Sequence, residues 1–219
     1  MRRVLPPLLL VAALCLFWEG TVRATGVPSY ILPPPSRVLG TAVAKSPLLL
    51  SHSIVTAGEI LLGIALALAL SLPLAVAMFF SPSLDRGLAP FLVASQAIPV
   101  FALAPLLIVW FGYGIGSKVV MAAIVIFFPI TVSLLHGFRS CPEALRTLFR
   151  LMGASPLTTL RRLYWPFALP YFFSGLRVGV SVATIGAVIG EWVGSQRGLG
   201  YLMIQANARM SVDLVFAAI

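Results

Sequence analysis

Apolar residues run in long blocks along this chain, separated by short polar punctuation. Residues 55–80, VTAGEILLGIALALALSLPLAVAMFF, are almost wholly apolar, with Glu59 near their start and Pro73 inside. About 20 apolar residues in helical form cross a bilayer core, so this block predicts a membrane helix. Pro73 should kink it, which is tolerated where neighbours satisfy the freed carbonyl. SPSLDRG, 81–87, predicts a tight polar turn, and 88–111 a second span broken at Pro99 and Pro105. FGYGIGSK, 111–118, predicts a glycine-rich turn before a third span over 119–136, and a fourth span covers 168–193. Residues 20–53 predict a proline-rich extramembrane loop with a short amphipathic helix over 35–50. The last stretch, from GSQRGLGY onward, is amphipathic and stops as a new apolar run begins.

The N-terminal pattern has two readings. Two arginines precede an apolar run of about 14 residues, as in a signal peptide. The same run, with Pro6, Pro7 and Trp18 beside it, also suits a first membrane helix, and an uncleaved helix is the reading adopted. AALC makes a poor lipoprotein box, because Leu14 stands where a small residue is needed.

Composition rules out a soluble domain. Of 219 residues 60% are hydrophobic and 10% charged, and the mean hydropathy is +1.04. A soluble domain carries about 25% charged residues, so the apolar surface here must face lipid. The net charge of +9 does not point to nucleic acid, since the basic residues lie between apolar runs and no basic patch with interleaved aromatics occurs. Instead they set topology. The densest positive stretch, 137–165, should be cytoplasmic, as should the N-terminus with Arg2 and Arg3, while Lys118 and Arg197 fall on the other side. Cys15 and Cys141 are far apart, and His52 and His136 read as membrane-boundary residues, so no metal site is expected.

Three motifs remain. In FGYGIGSK, Ser117 separates Gly116 from Lys118 and no strand precedes it, so the phosphate-loop pattern fails. In the fourth span Gly175, Gly179, Ala183, Gly186, Gly190 and Gly194 recur at helical spacing and leave one face nearly bare. That face either packs tightly on another helix or lines a passage. Glu191 follows it, with Arg177 about four turns earlier. Ionisable residues at membrane depth are functional candidates. Arg177 reads as snorkelling to the interface, and Glu191 as a gate or structural partner, with no second carboxylate expected nearby. The third motif is PEALRTLFRLMGASPLTTLRRLYWPFALP, 142–170. Ser140-Cys141-Pro142-Glu143 fits a capping box, and a helix to about Met152 ends at a left-handed Gly153. Ser155-Pro156 starts a second helix, ended by Pro166 and Pro170. Leu145, Leu148, Phe149, Met152 and Leu160 give the pair a greasy face, and Arg146 and Arg150 a basic one. This predicts a docking element for a protein, with both arginines turned toward acidic or carbonyl groups of the partner.

Gly153-Ala154-Ser155, followed thirteen residues after the glycine by Pro166 and then by Leu169-Pro170, resembles the cytoplasmic "EAA" loop of ABC importer permeases. LPYFFSGLRVGVSVATIGAVIGEW, PPPSRVL, IPVFALAPLLIVWFGYGIGSK and FFPITVSLLHGFRS are similar to the nitrate/sulfonate/taurine branch. IGEWVGSQRGLGYLMIQANARMSVDLVFAA looks most like permeases for thiamine-precursor pyrimidines of the hydroxymethylpyrimidine kind.

The resemblance implies an all-α membrane protein, a polytopic transmembrane helix bundle of the type I ABC importer permease kind. About five spans are present, and a final helix is expected beyond Ile219. The first 54 residues form an N-terminal helix and extracytoplasmic loop, and 55–219 the permease core, with a coupling loop at 139–166. The resemblance implies a multi-pass protein of the bacterial inner membrane, without catalytic residues or bound cofactor. Its implied partners are an ATP-binding subunit that uses ATP and Mg, an extracytoplasmic substrate-binding protein and a second copy of the chain. Glu143, Arg146, Thr147, Arg150, Gly153, Ala154, Ser155 and Pro166 are the expected ATPase-coupling residues. Gly186, Gly190, Glu191 and Asn207 are the expected pathway or gate residues, with Glu191 or Asn207 available to an aminopyrimidine. One departure stands out. The family's glutamate precedes the glycine by six residues, and that position here is Thr147, followed by Leu148 and Phe149. Glu143, one turn earlier on the same face, either supplies the charge or only caps the helix. Sulfonate, taurine or nitrate are alternative solutes. A stand-alone secondary transporter would need inverted repeats and buried ion-coupling carboxylates, and neither is evident. A membrane enzyme or assembly factor is the third class.

Overall fold

The computed structural model describes residues 5–219. Arg2 and Arg3, used above for orientation, lie outside the described residues. Among the described residues every regular element is helical. Four helices are long and apolar enough to cross a membrane, or five if one bent pair counts as a span. The elements fall into two compact units, residues 1–56 with 195–219, and residues 57–194.

In the first unit α1 (Leu5–Thr25) is long and apolar, and α2 (Pro35–Ala44) is short. α2 begins after Pro34, which has no side chain to cap it. Glu19 of α1 takes that role, accepting from Ser36 N at 3.0 Å and Ser36 Oγ at 2.8 Å, and binding Arg23. α10 (Leu199–Ala208) and α11 (Val212–Ala218) close on a small core of Leu202, Ala206, Leu214 and Ala218, with Leu49 against it. Asp213 fastens α11 to α2, accepting from Thr41 Oγ1 at 2.8 Å with Arg37 3.7 Å away. Partial burial works against the Asp213 carboxylate, but the Thr41 hydroxyl, the Leu214 amide and the Arg37 charge outweigh it and hold its pKa below the ordinary 3.8. A lowered folded-state pKa stabilises above the unfolded value and is lost as pH falls through the folded one. Asp213→Asn should therefore destabilise α11 at neutral pH and make no difference in strong acid, which hydrogen exchange of residues 212–218 at two pH values will read.

The second unit is built on α6 (Ile115–Arg139) and α9 (Trp165–Gly194), which run antiparallel. Small residues let their backbones approach closely, as lipid-embedded helices require. A Cβ on Gly186 would lie 2.9 Å from Ala122 Cα, and one on Gly175 2.6 Å from Pro129 O. In this chain the bare face of α9 is packed against α6 from Gly175 to Gly190, and against Ile108 and Tyr113 at Gly194. α3 (Ser46–Phe80) starts nine residues before the predicted first span. It packs on the same helix through Gly63 against Ala122, and Ser71 Oγ donates to Ala67 O and Phe127 O. The resulting core of Ala67, Ala122, Ala123, Ile126, Ile130 and Ala183 is made of small and branched residues.

Several boundaries differ from the pattern-based ones. SPSLDRG is no turn. Ser81 caps α4 (Pro82–Ser95), accepting from Leu84 N, and Asp85 in its first turn binds Arg139 at 2.6 Å. The predicted second span is two helices, α4 and α5 (Val100–Phe111), bent by 105°. The break falls just before Pro99, whose ring disfavours helix in the residue ahead of it. Pro166 and Pro170 end nothing: residues 156–194 are helical throughout. The turn Leu160–Tyr164 is π-helical, and this wider turn just ahead of Pro166 absorbs the missing donor and the ring.

Candidate functional site

The arginine-bearing segment leaves the end of α6 and returns into α9. Ser140 closes the end of α6, its Oγ donating to Gly137 O, so the expected capping box does not form. α7 (Glu143–Leu151) starts instead after Pro142, with no side-chain cap and with Glu143 in its first turn. A negative charge there favours the helix dipole. Gly153 ends α7 at φ +68°. Ala154 N donates to Phe149 O and Gly153 N to Arg150 O, both at 3.1 Å, the paired bonds of a Schellman stop. Ser155 then caps α8 (Pro156–Thr159), its Oγ accepting from Thr158 N at 3.2 Å.

The two arginines expected to face a partner divide. Arg146 is turned inward: Nη2 donates to Arg139 O at 2.8 Å, Nη1 lies 3.6 Å from Glu143, and the guanidinium sits 5.8 Å from the Tyr164 ring centre. Tyr164 packs edge-on against Phe79, and Phe79 against Phe138. Arg146 thus seats α7 on the aromatic core of the bundle, and the expectation that it reaches outward is corrected. Arg150 is exposed and meets only the exposed Glu143, at 3.9 Å, which is worth little. Thr147 is exposed, and Leu148, Leu151, Met152 and Leu157 are large apolar side chains in the open. Between the arginines, Ala154, Pro156, Thr159 and Tyr164 lies a cleft of about 190 Å³. The segment is a firmly seated platform with a greasy surface, the exposed arginines Arg150, Arg161 and Arg162, and a small basic cleft. It can receive an apolar side chain beside an acidic one.

At the other end of the second unit the structure contains a cluster not foreseen from sequence. Glu59 on α3, Lys118 on α6 and Glu191 on α9 are 2%, 4% and 1% exposed. The Glu59 and Glu191 carboxyls lie within hydrogen-bonding reach of each other, and the Lys118 charge acts on Glu59. Lys118 Nζ donates to Tyr113 O and Gly114 O, both at 3.1 Å, and its stem lies against Gly190. The expectation that no second carboxylate lies near Glu191 is overturned. Lys118 is likewise no solvated topology charge. The available signal was an acidic residue inside an apolar run, but nothing in the sequence paired it with a residue so distant. Asn207 is exposed on α10 in the first unit. In that unit His52 stacks on Tyr201, and its Nδ1 lies 3.0 Å from Gly198 N and 2.9 Å from Gly198 O. Beside them is a polar pocket of about 430 Å³ with Gln196 and Arg197. His52 therefore holds the loop before α10, which the boundary reading missed. Among the described residues no group of His, Cys, Asp or Glu is placed to hold a metal ion.

Comparison with known proteins agrees with the fold. Residues 59–219 match the family model described as the binding-protein-dependent transport system inner membrane component. A probable ABC transporter permease protein of Haemophilus influenzae is 49% identical over 217 residues, covering 99% of this chain and 89% of its own. The formylaminopyrimidine transport permease protein of Halalkalibacterium halodurans is 40% identical, with coverage of 99% and 87%. A riboflavin transport system permease protein of Chloroflexus aurantiacus is 41% identical, with coverage of 94% and 78%. With its multi-pass helices, small-residue seams and returning amphipathic segment, this chain belongs to the binding-protein-dependent ABC transporter permeases of the inner membrane, a transport subunit and not an enzyme.

Proposed function

We propose that the permease imports a small flat nitrogen heterocycle, a thiamine-precursor pyrimidine of the hydroxymethylpyrimidine or formylaminopyrimidine kind. The observation that carries this reading is the 40% identity over 99% of the chain to a formylaminopyrimidine permease. The relative named for riboflavin, at 41%, favours a second reading of related chemistry, since both named solutes are planar heteroaromatics. Taurine and sulfonate relatives are 29% and 28% identical, which ranks those solutes lower. Growth of a pyrimidine-requiring thiamine auxotroph tests the choice. Rescue at low hydroxymethylpyrimidine supports the pyrimidine; rescue by riboflavin of a riboflavin auxotroph alone contradicts it.

In this reading residues 142–166 are the cytoplasmic docking element for a separate ATP-binding subunit, which uses ATP and Mg. A substrate-binding protein delivers the solute from outside, and two copies of the chain enclose the pathway. The exposed Leu148, Leu151, Met152 and Leu157 supply the apolar contact. Arg150 supplies the charge, and Thr147 and Ala154 keep the surface low enough for close approach. Arg150→Glu should cut ATP-driven uptake at least tenfold while leaving the chain inserted and folded. Arg146→Ala should also cut it, but together with faster hydrogen exchange across 143–151, because its contacts are internal. Identical exchange in the two variants would contradict this division.

A further inference from the structure

We propose that the pocket around Arg197 receives an acidic side chain of the extracytoplasmic solute-binding protein, and so marks where that protein docks on this chain. The identity of the partner rests on the import reading above; the chemistry of the contact rests on the pocket. It holds about 430 Å³ and is lined by Ser51, His52 and Val55 of α3, by Gln196 and Arg197 of the loop before α10, and by Tyr201 of α10. The loop follows Gly194, the end of α9 away from the docking element at 142–166, which puts the pocket outside. Its frame is fixed. His52 Nδ1 is bound to the Gly198 backbone, Leu199 N donates to Thr56 Oγ1 at 2.8 Å, and Ser195 Oγ donates to Arg197 O. Its side chains are free: those of Gln196, Arg197 and Tyr201 make no hydrogen bond or ion pair among the described residues. A guanidinium, an amide and a phenol, with no carboxylate in the lining, make a donor-rich pocket of positive charge. A carboxylate fits it, because a guanidinium binds one through two parallel hydrogen bonds.

The charge of the surrounding unit has the same sign. Arg23, Arg37, Lys45, Arg197 and Arg209 stand there against Glu19 and Asp213. α10 is about 15 Å long, too short to cross a core of about 30 Å, so Arg209 stays on the side of Arg197. Glu19 is held by Arg23 and Ser36, and Asp213 by Thr41 and Arg37. Lys45, Arg197 and Arg209 are exposed and meet no acid among the described residues. Cations of a membrane protein ordinarily gather on the cytoplasmic side, so this surplus outside runs against the rule. A complementary acidic face on the partner gives it a use, since such charge steers encounter and fixes register. Lipid headgroups suit the pocket less, because Val55 is its one apolar wall and leaves no bed for acyl chains. The heterocycles proposed as solutes carry no carboxylate, so the acid belongs to the protein that brings them.

The test measures binding of the solute-binding protein to the complete transporter in lipid nanodiscs, at low and at physiological salt. Wild type should bind more tightly at low salt. Arg197→Glu should weaken binding about tenfold or more, with helical circular dichroism unchanged, because the replaced side chain holds nothing in the fold. Arg197→Lys, which keeps the charge but loses the paired donors, should fall between. Arg209→Glu lies outside the pocket and should cost about threefold at most, as a rim charge does. Unchanged affinity in Arg197→Glu, or equal losses in Arg197→Glu and Arg209→Glu, overturns the proposal and leaves the import reading standing. Two other occupants show in the same material. An Arg197 effect that vanishes in nanodiscs free of anionic lipid assigns the guanidinium to headgroups. Taurine that binds the permease alone, and no longer binds Arg197→Glu, makes the pocket a small-anion site. Either result overturns the proposal. A wild-type transporter that imports without any binding protein overturns the import reading, and the proposal with it.

Discussion

Gly175→Leu should take away a large part of the permease's folding stability. An added Cβ meets Pro129 O at 2.6 Å, Ser133 Cβ at 2.6 Å and Ser133 Oγ at 2.8 Å. The first of these is backbone, so relief requires α6 itself to move away from α9. Overpacking in a fixed core costs about 1–3 kcal/mol, occasionally more, and a leucine here has three further carbons to place. A loss of about 3 kcal/mol or more is expected. Gly58→Leu is the control, because nothing lies within 4 Å of a Cβ there and the position is also helical. Unfolding in nanodiscs by denaturant, followed by helical circular dichroism, compares the two. Equal stability of both variants would mean that α6 and α9 do not touch along this face.

Lys118→Met is the second large loss. Lys118 is buried with both carboxyls, and its ammonium also satisfies two carbonyls at the start of α6. Removing it leaves two carbonyls without their donor and takes the one cation away from the buried carboxyls; losing one member of a buried charge cluster costs about 3–5 kcal/mol, because the remaining charge is uncompensated. Adding Glu191→Gln to Lys118→Met removes that leftover charge and should recover part of the loss. A double variant no more stable than Lys118→Met would show that the lysine acts only through its carbonyl bonds. An exposed lysine would give neither effect, since surface pairs contribute at most about 1 kcal/mol.

These two sites show where sequence reasoning reaches and where it stops. The glycine spacing of α9 is local and periodic, so it announces a close helix contact before any partner is known. Spacing alone does not say what fills the space beside a bare face, and here it is α6 over most of its length. The stop at Gly153 was legible for the same local reason, since only a left-handed residue closes a helix with the bonds seen there. The bend between α4 and α5 was not, because apolarity continues through it and hydropathy does not carry direction. Pro166 and Pro170 looked like breaks because an ordinary helix rejects them, and the π-helical turn that accommodates them has no sequence signature. The Glu59–Lys118–Glu191 cluster is assembled by tertiary packing alone. Arg146 and Arg150 look alike in sequence, and the positions of the Arg139 carbonyl and of Tyr164 separate their roles.

Under the proposed function the chain is a conduit whose opening is worked from outside itself, through the platform at 142–166. The direct measurement is solute uptake into proteoliposomes that hold the permease, with ATP-binding subunit, binding protein and ATP added or withheld. Uptake of labelled hydroxymethylpyrimidine only when all are present, and abolished by Arg150→Glu, is the predicted result. Uptake by the permease alone, driven by an ion gradient and indifferent to ATP, would contradict it.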